Sequence, residues 1–296
     1  MLRGFNAYID FLTGKEYCPS GGLFENPLKW NPVKEALSAF PADRKVLRFP
    51  GGTGSRTWQY TESDISAFKT KCAGAGVTKT TFVVNLSDIH GSMMAARKIA
   101  ETLEIVLIEA GNEEYDHARN PKGWGEIFTA WLNVGGWFRT LGREYGNQVN
   151  EVINNFKPFF PDVPIGVTIN VPNDSKNTGW WNGIRDKVLN AKDVIIHPYR
   201  NPGDESYISN LHKNLGKLGG TNKWYTEFNI KYEPGGYQYM AYTGVHKILF
   251  NGAVDYLTLR DDTKMILLHS LWGHHLFAAW SWKDDTLTYN YENWGL

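Results

Sequence analysis

The sequence lacks several features that point to common protein classes. It has only two cysteines, Cys18 and Cys72, among 296 residues, which is too few for a zinc finger or a disulfide framework. Its 31 basic and 31 acidic residues leave no formal net charge, which argues against a surface built to bind nucleic acid. No run approaches the roughly 18 apolar residues that a membrane-spanning helix needs. We therefore expect neither a nucleic-acid nor a membrane partner.

Signals for export and for disorder are also missing. The first twenty residues contain Arg3, Asp10, Lys15 and Glu16 and no apolar core, so no secretory signal peptide is predicted. By default this indicates a cytoplasmic protein, although a phage protein or one exported by a nonclassical route would look the same. Hydrophobic residues make up 42% and charged residues 21%, which is ordinary for a globular chain and excludes wholesale disorder.

Aromatic residues and glycine are abundant, with 12 Trp, 15 Tyr, 15 Phe and 30 Gly. Each aromatic ring buries about 150 to 250 Å², so much of this content goes to packing. Flat indole faces also suit the apolar faces of sugar rings. A large aromatic core and a carbohydrate-binding groove are therefore both compatible with the composition.

Short apolar runs alternate with segments of helical periodicity along the whole chain, and eight of the runs are predicted to be strands. They read as continuous apolar stretches, as expected for parallel strands that are covered on both faces. The predicted strands are Leu2–Ile9, Val46–Phe49, Thr81–Leu86, Ile105–Glu109, Ile165–Val171, Val194–His197, Trp224–Phe228 and Lys264–His269. The predicted helices are Asn31–Phe40, Thr61–Ala75, Ser92–Leu103, Trp124–Phe156, Trp180–Asn190, Tyr207–Leu218 and Tyr237–Leu257.

This alternation predicts an α/β fold with right-handed crossovers and a parallel sheet. Eight such units in about 250 residues fit a closed TIM (β/α)8 barrel more economically than an open doubly wound sheet. An open doubly wound sheet would also be expected to carry a phosphate-binding loop. Gly51–Ser55 matches neither the dinucleotide fingerprint nor a Walker loop, which argues against nucleotide binding. Because no repeat or linker is visible, residues 1–296 are predicted to form a single barrel domain. A hairpin of Phe277–Trp282 and Thr286–Tyr291 stands where an eighth helix is expected.

In such a barrel the active site lies at the carboxyl ends of the strands, so polar residues there are candidates. They include carboxylates, a guanidinium, amides, imidazoles and an indole: Arg48, Asn85, Asn112, Glu113, Glu114, Asn170, His197, Tyr199, Glu227, Asn229, His269 and Trp272. Glu113 and Glu227 lie at the ends of strands four and seven, which places two carboxylates at one barrel mouth. Glycoside hydrolysis needs such a pair, one to protonate the leaving oxygen and one to attack the anomeric carbon.

Four short motifs resemble elements of clan A glycoside hydrolases. Ile108–Glu113 (IEAGNE) looks like the strand-four GNE element of the clan, and Trp224–Asn229 (WYTEFN) is similar to its strand-seven nucleophile segment. Arg48–Gly52 (RFPGG) resembles a strand-two motif of families 39, 51 and 79, and His197–Tyr199 resembles their strand-six His-x-Tyr. The four motifs follow the family order, each on its own predicted strand.

The resemblance implies a retaining double displacement on a carbohydrate, with no cofactor and no metal. Glu113 would be the general acid/base and Glu227 the nucleophile. Arg48 would lie beside Glu227 and keep it ionised by its charge and its donor bonds. The acid should then have a raised pKa and the nucleophile a low one, because only the nucleophile has an arginine beside it.

The same resemblance assigns five residues to substrate binding in addition to Arg48. Asn112 would hydrogen-bond the sugar 2-hydroxyl, where contacts strengthen in the transition state. Tyr199 would touch the nucleophile, and His197 would line the pocket floor. Trp272 or Trp280 would offer a stacking face to the bound sugar.

The chain departs from the family pattern after the predicted acid. Glu114 and Tyr115 follow it where proline or a similar turn residue is usual. Glu114 is therefore a rival carboxylate, although its side chain should point away from the mouth if Glu113 points inward. The extra β-sandwich common in families 39, 51 and 79 has no counterpart in the sequence, which leaves the substrate geometry open.

Several charged residues have a simpler interpretation, and two other functions stay open. Glu109 and Glu233 are predicted to be solvent or packing residues rather than catalytic carboxylates. His274 and His275 have no third ligand placed beside them, so no metal site is predicted. A non-catalytic carbohydrate-binding barrel and a metal-dependent barrel hydrolase remain as alternatives. The sugar, the linkage, endo or exo action and the oligomeric state stay undetermined.

Overall fold

Eight parallel strands form a closed ring in the computed structural model of the chain. The structure describes residues 1–6, 27–51, 53–56, 61–117, 134–170, 174–200, 213, 215–230, 254–268, 270–273, 278–283 and 286–289. Only the backbone is described at residues 27–29, 36, 53–54, 116–117, 199–200 and 229–230 and in the stretches beyond 268.

The barrel strands are β1 (Leu2–Asn6), β2 (Val46–Phe49), β3 (Lys79–Val83), β4 (Glu104–Ala110), β5 (Ile165–Thr168), β6 (Asp193–Ile195), β7 (Asn222–Ile230) and β8 (Thr263–Leu268). Each strand pairs in parallel with the next, and β8 pairs with β1 to close the ring. A two-residue strand, Tyr199–Arg200, pairs with the end of β7. The predicted (β/α)8 barrel is confirmed.

The helices between the strands are α1 (Pro27–Ala39), α2 (Glu62–Gly74), α3 (Ile89–Ala100), α4 (Glu114–His117), α5 (Val134–Phe156) and α6 (Ser175–Lys187). Residues 213, 215–216 and 254–258 are also helical. Most of the predicted helices Tyr207–Leu218 and Tyr237–Leu257, and the first part of Trp124–Phe156, lie outside the described residues. Within the described part of the chain, no helix is both long and apolar enough to cross a bilayer.

Side-chain caps determine where three of these helices begin. The Thr61 hydroxyl accepts from the backbone N–H of Asp64 in a capping box. Asp88 caps α3 and Asp174 caps α6, so both helices begin before the predicted positions Ser92 and Trp180. The predicted starts follow the apolar periodicity, which begins later than the capped first turn.

Two hydrophobic cores lie on opposite faces of the barrel strands, because successive side chains alternate between the faces. One buried cluster fills the barrel interior: Val46, Leu107, Ile195, Trp224, Met265 and Leu267. The larger cluster lies between the strands and the helices. Two positions beyond the interior residues of β2, β4 and β6 come Arg48, Glu109 and His197. The same alternation therefore aims these polar side chains into the barrel mouth, above the apolar layer.

Helices α5 and α6 pack at very short range because glycines lie at their contact. A Cβ on Gly142 would come within 2.3 Å of the carbonyl oxygen of Trp180. A Cβ on Gly183 would come within 2.2 Å of the carbonyl oxygen of Arg139. Only hydrogen fits at either position without a shift of the backbone.

This helix pair holds the ends of β4 and β5. The Tyr145 hydroxyl on α5 donates to the carbonyl of Ala110 at 2.6 Å and accepts from the backbone N–H of Thr168 at 2.9 Å. The Trp180 indole on α6 stacks on Tyr145 and donates to the carbonyl of Thr168. The close helix contact therefore sets the position of the strand end that precedes Glu113.

We expect Gly183→Ala to destabilise the protein by about 1 to 3 kcal/mol, the usual cost of overpacking. Its Cβ would meet backbone atoms, which cannot rotate away as a flexible side chain can. Gly216→Ala is the matched control, because it lies in a helical segment with no heavy atom within 4 Å of the added Cβ. Urea unfolding of both variants measures the difference, and equal losses of stability would contradict the packing argument.

The chain beyond β8 forms a small three-stranded sheet of β9 (Ser270–Gly273), β10 (Ala278–Lys283) and β11 (Thr286–Tyr289). Strands β10 and β11 are antiparallel, which confirms the predicted hairpin. Strand β9 was not predicted, and it pairs with β10 in parallel.

Candidate active site

Arg48, at the end of β2, is the centre of a buried polar network, and its side chain is fully buried. Its guanidinium donates to both carboxylate oxygens of Glu109 at 2.8 to 3.0 Å. It also donates to Glu227 Oε1 at 2.5 Å and to Asn112 Oδ1 at 2.8 Å. A buried charge is tolerated only with such partners. Arg48 therefore ties β2, β4 and β7 together at the barrel mouth.

A bulge in β7 brings two consecutive side chains into the mouth. After Tyr225 the register with β8 shifts, so that three residue steps on β7 match two on β8. Such a bulge re-aims the side chains beside it. Thr226 Oγ1 donates to Glu109 Oε2 at 3.0 Å, while Glu227 contacts Arg48. In a regular strand, Thr226 and Glu227 would face opposite sides.

The turn after β4 is tight, and the guanidinium of Arg56 holds it by hydrogen bonds. Gly111 has φ of 85° and Glu113 has φ of 49°, in the left-handed region that favours glycine. Arg56 donates to the carbonyls of Asn112 and Glu113, each at 2.6 Å. Glu114 accepts from the backbone N–H of Asn112 and lies 3.6 Å from Arg56. Glu114 thus faces Arg56.

His197 lies between the two predicted catalytic glutamates. Its Nδ1 is 3.1 Å from Glu113 Oε1 and 3.8 Å from Glu227 Oε2. Its Nε2 is 3.0 Å from Thr226 Oγ1. The Tyr115 hydroxyl donates to Glu113 Oε1 at 3.4 Å. One oxygen of Glu113 and one of Glu227 lie within 4.8 Å of each other, with the imidazole beside both.

The charges of this cluster shift the pKa of Glu113 in the direction opposite to the expected one. Burial acts to raise the pKa of Glu113, but the hydrogen bond and charge of His197 outweigh it, and the pKa is lowered. Burial acts to lower the pKa of His197, but Glu227 and Glu113 outweigh it, and that pKa is raised. The prediction of a raised pKa for the acid is therefore wrong for this site, because His197 holds the pKa of Glu113 below its ordinary value.

The carboxyl of Glu114 has a different environment. Its pKa is raised because burial outweighs the attraction of Arg56 and the hydrogen bond from Asn112. Since its side chain faces Arg56, the carboxyl of Glu114, with its raised pKa, points away from Glu227.

The same three side chains could each offer a ligand atom to a metal ion, since Glu113, His197 and Glu227 bring such atoms within 4.8 Å of one another. Two observations argue against this use. Arg48 places a fixed positive charge 2.5 Å from Glu227 Oε1, where a cation would be repelled. Both ring nitrogens of His197 already have hydrogen-bond partners. We assign no metal to this cluster.

The structure brings together five of the eight residues that the resemblance assigns to the site. Five of them meet at the mouth: Arg48, Asn112, Glu113, His197 and Glu227. For Tyr199, Trp272 and Trp280 only the backbone is described, and Trp272 pairs in register with Trp280. Glu233, His269, His274 and His275 lie outside the described residues.

Sequence reasoning missed three residues that hold the site. Glu109 was interpreted as a solvent or packing residue; it is not a solvent residue, because it is fully buried and accepts from Arg48, Thr81 and Thr226. The two-residue spacing of Glu109 from interior Leu107 is a signal that could have found it. Thr226 carries the same signal, because it stands two residues beyond interior Trp224, whereas Arg56 depends on a loop contact that has no periodic signal.

The backbone of Glu113 offers a test of the turn that is independent of activity. We expect Glu113→Gly to be more stable than Glu113→Ala by about 1 kcal/mol, because a Cβ disfavours this φ and glycine does not. Both variants lose the same carboxyl contacts, so the difference isolates the backbone. Thermal unfolding at one pH measures it, and an Ala variant as stable as the Gly variant would mean that the turn is relaxed.

Comparisons with solved structures place this fold among glycoside hydrolases. An alpha-L-arabinofuranosidase from Thermotoga maritima in complex with arabinose matches 100% of this chain and 69% of its own, with 14% identity and a TM-score of 0.68. AbfB, a family 51 alpha-L-arabinofuranosidase from Bifidobacterium longum, matches 99% and 71%, with 12% identity and a TM-score of 0.67. Xylanase 10B from Thermotoga maritima matches 91% and 82%, with 11% identity and a TM-score of 0.52.

At these identities the likeness establishes the barrel fold. The resemblance to clan A glycoside hydrolases, including family 51, is thus confirmed at the level of the fold. No protein-family model and no curated protein sequence matches the chain.

Proposed function

We propose that this chain is a retaining glycoside hydrolase in which Glu227 is the nucleophile and Glu113 the general acid/base. The observation that carries the proposal is the pair of carboxylates, which approach within 4.8 Å at the mouth of the barrel. Retaining enzymes hold their carboxyl groups about 5 to 5.5 Å apart, whereas inverting enzymes need about 6.5 to 9.5 Å to admit a water. The short separation favours direct attack by one carboxylate.

The partners of the two carboxylates support this division of roles. Glu227 is paired with the permanently charged Arg48, which favours a carboxylate ready to attack. Glu113 is paired with His197, a group that exchanges a proton near neutral pH. The carboxyl that must give and take a proton is thus the one with a titratable partner.

The reaction would proceed in two displacements. As the leaving oxygen takes the proton of Glu113, a Glu227 oxygen forms a bond to the anomeric carbon. Glu113 then removes a proton from water, and the water oxygen replaces Glu227 at that carbon. Asn112 would bind the sugar 2-hydroxyl, since its Oδ1 is held by Arg48 and its amide can donate. Tyr199, Trp272 and Trp280 are proposed to complete the sugar site.

The substrate is proposed to be a plant- or algal-type polysaccharide or oligosaccharide. The solved structures that share the fold include arabinofuranosidases and a xylanase, and the sequence is rich in tryptophan. An α-L-arabinofuranoside is therefore the first compound to test. A single catalytic domain spanning residues 1–296 is part of the same proposal.

The test is sugar release by the wild type from a panel of aryl glycosides and polysaccharides, with the anomer of the first product identified by NMR. We expect cleavage of at least one compound and a product that keeps the substrate's anomeric configuration. An inverted product would contradict the assignment of Glu227 as nucleophile. Sugar binding without any release would instead indicate a non-catalytic carbohydrate-binding barrel.

A further inference from the structure

We propose that Thr226 and Glu109 are positioning residues that fix the proton of the neutral His197 ring on Nε2. With Nε2 already protonated, a second proton is shared between His197 Nδ1 and Glu113. The tautomer follows from the hydrogen bonds alone. Its effect on the acid/base rests on the function proposed above.

The hydrogen bonds around Glu109 have a fixed direction. Its carboxylate accepts from Arg48 on both oxygens and from the hydroxyls of Thr81 and Thr226. An ionised carboxylate only accepts hydrogen bonds, so the Thr226 hydroxyl must donate its single proton to Glu109. Thr226 Oγ1 can then only accept from His197 Nε2, which lies 3.0 Å away. The ring therefore carries a proton on Nε2.

The other ring nitrogen, Nδ1, faces Glu113. In a neutral ring with its proton on Nε2, Nδ1 has a lone pair, and this lone pair faces Glu113 Oε1 at 3.1 Å. A contact of that length needs one proton between the two atoms, either as Glu113 O–H or as His197 Nδ1–H. Removal of this proton leaves a lone pair against a carboxylate. The pair of His197 and Glu113 therefore releases the shared proton at a higher pH than it would if the ring could change to the tautomer with its proton on Nδ1.

This shared proton is the one that the reaction uses. In the first displacement it leaves Glu113 for the departing sugar oxygen as the glycosidic bond breaks and the bond to Glu227 forms. In the second, water returns a proton to Glu113 while its oxygen replaces Glu227. A fixed tautomer thus extends to higher pH the range over which Glu113 has a proton to give.

The charges around His197 stay in place when Thr226 is changed. Among the described residues, Glu113 on the β4 turn and Glu227 on β7 stabilise the protonated ring, and Arg48 on β2 opposes them. Glu109 on β4 reaches the ring through Thr226. Thr226→Val keeps all four charges and the side-chain shape while it removes the hydroxyl. The variant thereby separates the tautomer from the electrostatics of the site.

The experiment combines ¹⁵N NMR of histidine-labelled protein with pH–rate profiles of wild type, Thr226→Val and Thr226→Ser. The His197 signals are assigned among the eight histidines by their loss in His197→Gln. Above its pKa, wild-type His197 is expected to carry its proton on Nε2 and the Val variant on Nδ1. The basic limb of kcat/KM is expected to move to lower pH by about one unit in Thr226→Val, the equivalent of one hydrogen bond.

Thr226→Ser keeps the hydroxyl, so it should retain the wild-type tautomer and basic limb. Thr226→Ala removes the same group if the Val variant fails to fold. A wild-type proton on Nδ1, or a basic limb that does not move in Thr226→Val, overturns the inference. If the tautomers are as expected but the wild type cleaves no glycoside, the proposed function fails and the catalytic part of the inference fails with it, while the fixed tautomer stands.

Discussion

Glu227→Ala is expected to lower kcat by about 10⁴-fold or more on every glycoside that the wild type cleaves, because no group then remains to form a bond to the anomeric carbon. The Arg48 guanidinium keeps its three bonds to Glu109 and its bond to Asn112, so the mouth should stay folded. Initial rates with an aryl glycoside, together with circular dichroism, separate lost chemistry from lost structure. Near-wild-type turnover would exclude Glu227 as the nucleophile.

Azide makes this prediction sharper. In Glu227→Ala a small anion can enter the space that the carboxylate leaves and attack the sugar from the same side. One displacement then replaces two, so the glycosyl azide should have the inverted configuration. Glu104→Ala is the matched control, because Glu104 is an exposed carboxylate at the opposite end of β4, paired with Lys79. It should keep wild-type rates, and azide should not change its product.

The barrel could be predicted because each strand is a short, nearly continuous apolar run, which parallel strands covered on both faces require. Helix starts were less accurate. Asp88 and Asp174 cap first turns that lie outside the apolar periodicity, so a prediction from hydrophobic spacing places both starts too late. The positions of the strands along the chain were thus predicted better than the first turns of these two helices.

The ends of the strands explain why part of the site was predicted and part was missed. Arg48 and Glu113 were identified because polar residues after apolar strands lie at the barrel mouth. Glu109 was interpreted as a solvent or packing residue, yet it stands two residues beyond interior Leu107, just as Arg48 stands two beyond Val46. A carboxylate on that face is buried, and burial requires a partner such as Arg48.

Other parts of the site depend on irregular structure that leaves no pattern in the sequence. The bulge that lets Thr226 and Glu227 face the same side appears only in the pairing of β7 with β8. The pKa of Glu113 depends on the contact with His197, which is 84 residues away in the chain. Expected roles could therefore be carried over from motifs, whereas the protonation state could not.

The final prediction concerns the proton that Glu113 supplies. We expect Glu113→Ala to lower kcat/KM by about 10² to 10⁴-fold on glycosides with alkoxide leaving groups, the usual contribution of a general acid. The loss should be much smaller on nitrophenyl glycosides, since their leaving group needs no proton. With those substrates the second step becomes slow for lack of a base, and a burst of nitrophenol should precede steady turnover.

Azide should distinguish this variant from Glu227→Ala. In Glu113→Ala the bond to Glu227 still forms, and azide then attacks that intermediate without needing a base. Two displacements have then taken place, so the glycosyl azide should retain the configuration of the substrate. Glu114→Ala serves as the comparison, because its carboxyl faces Arg56 and its loss should be the same for good and poor leaving groups. A loss that depends on the leaving group in Glu114→Ala, and not in Glu113→Ala, would assign the acid to Glu114 instead.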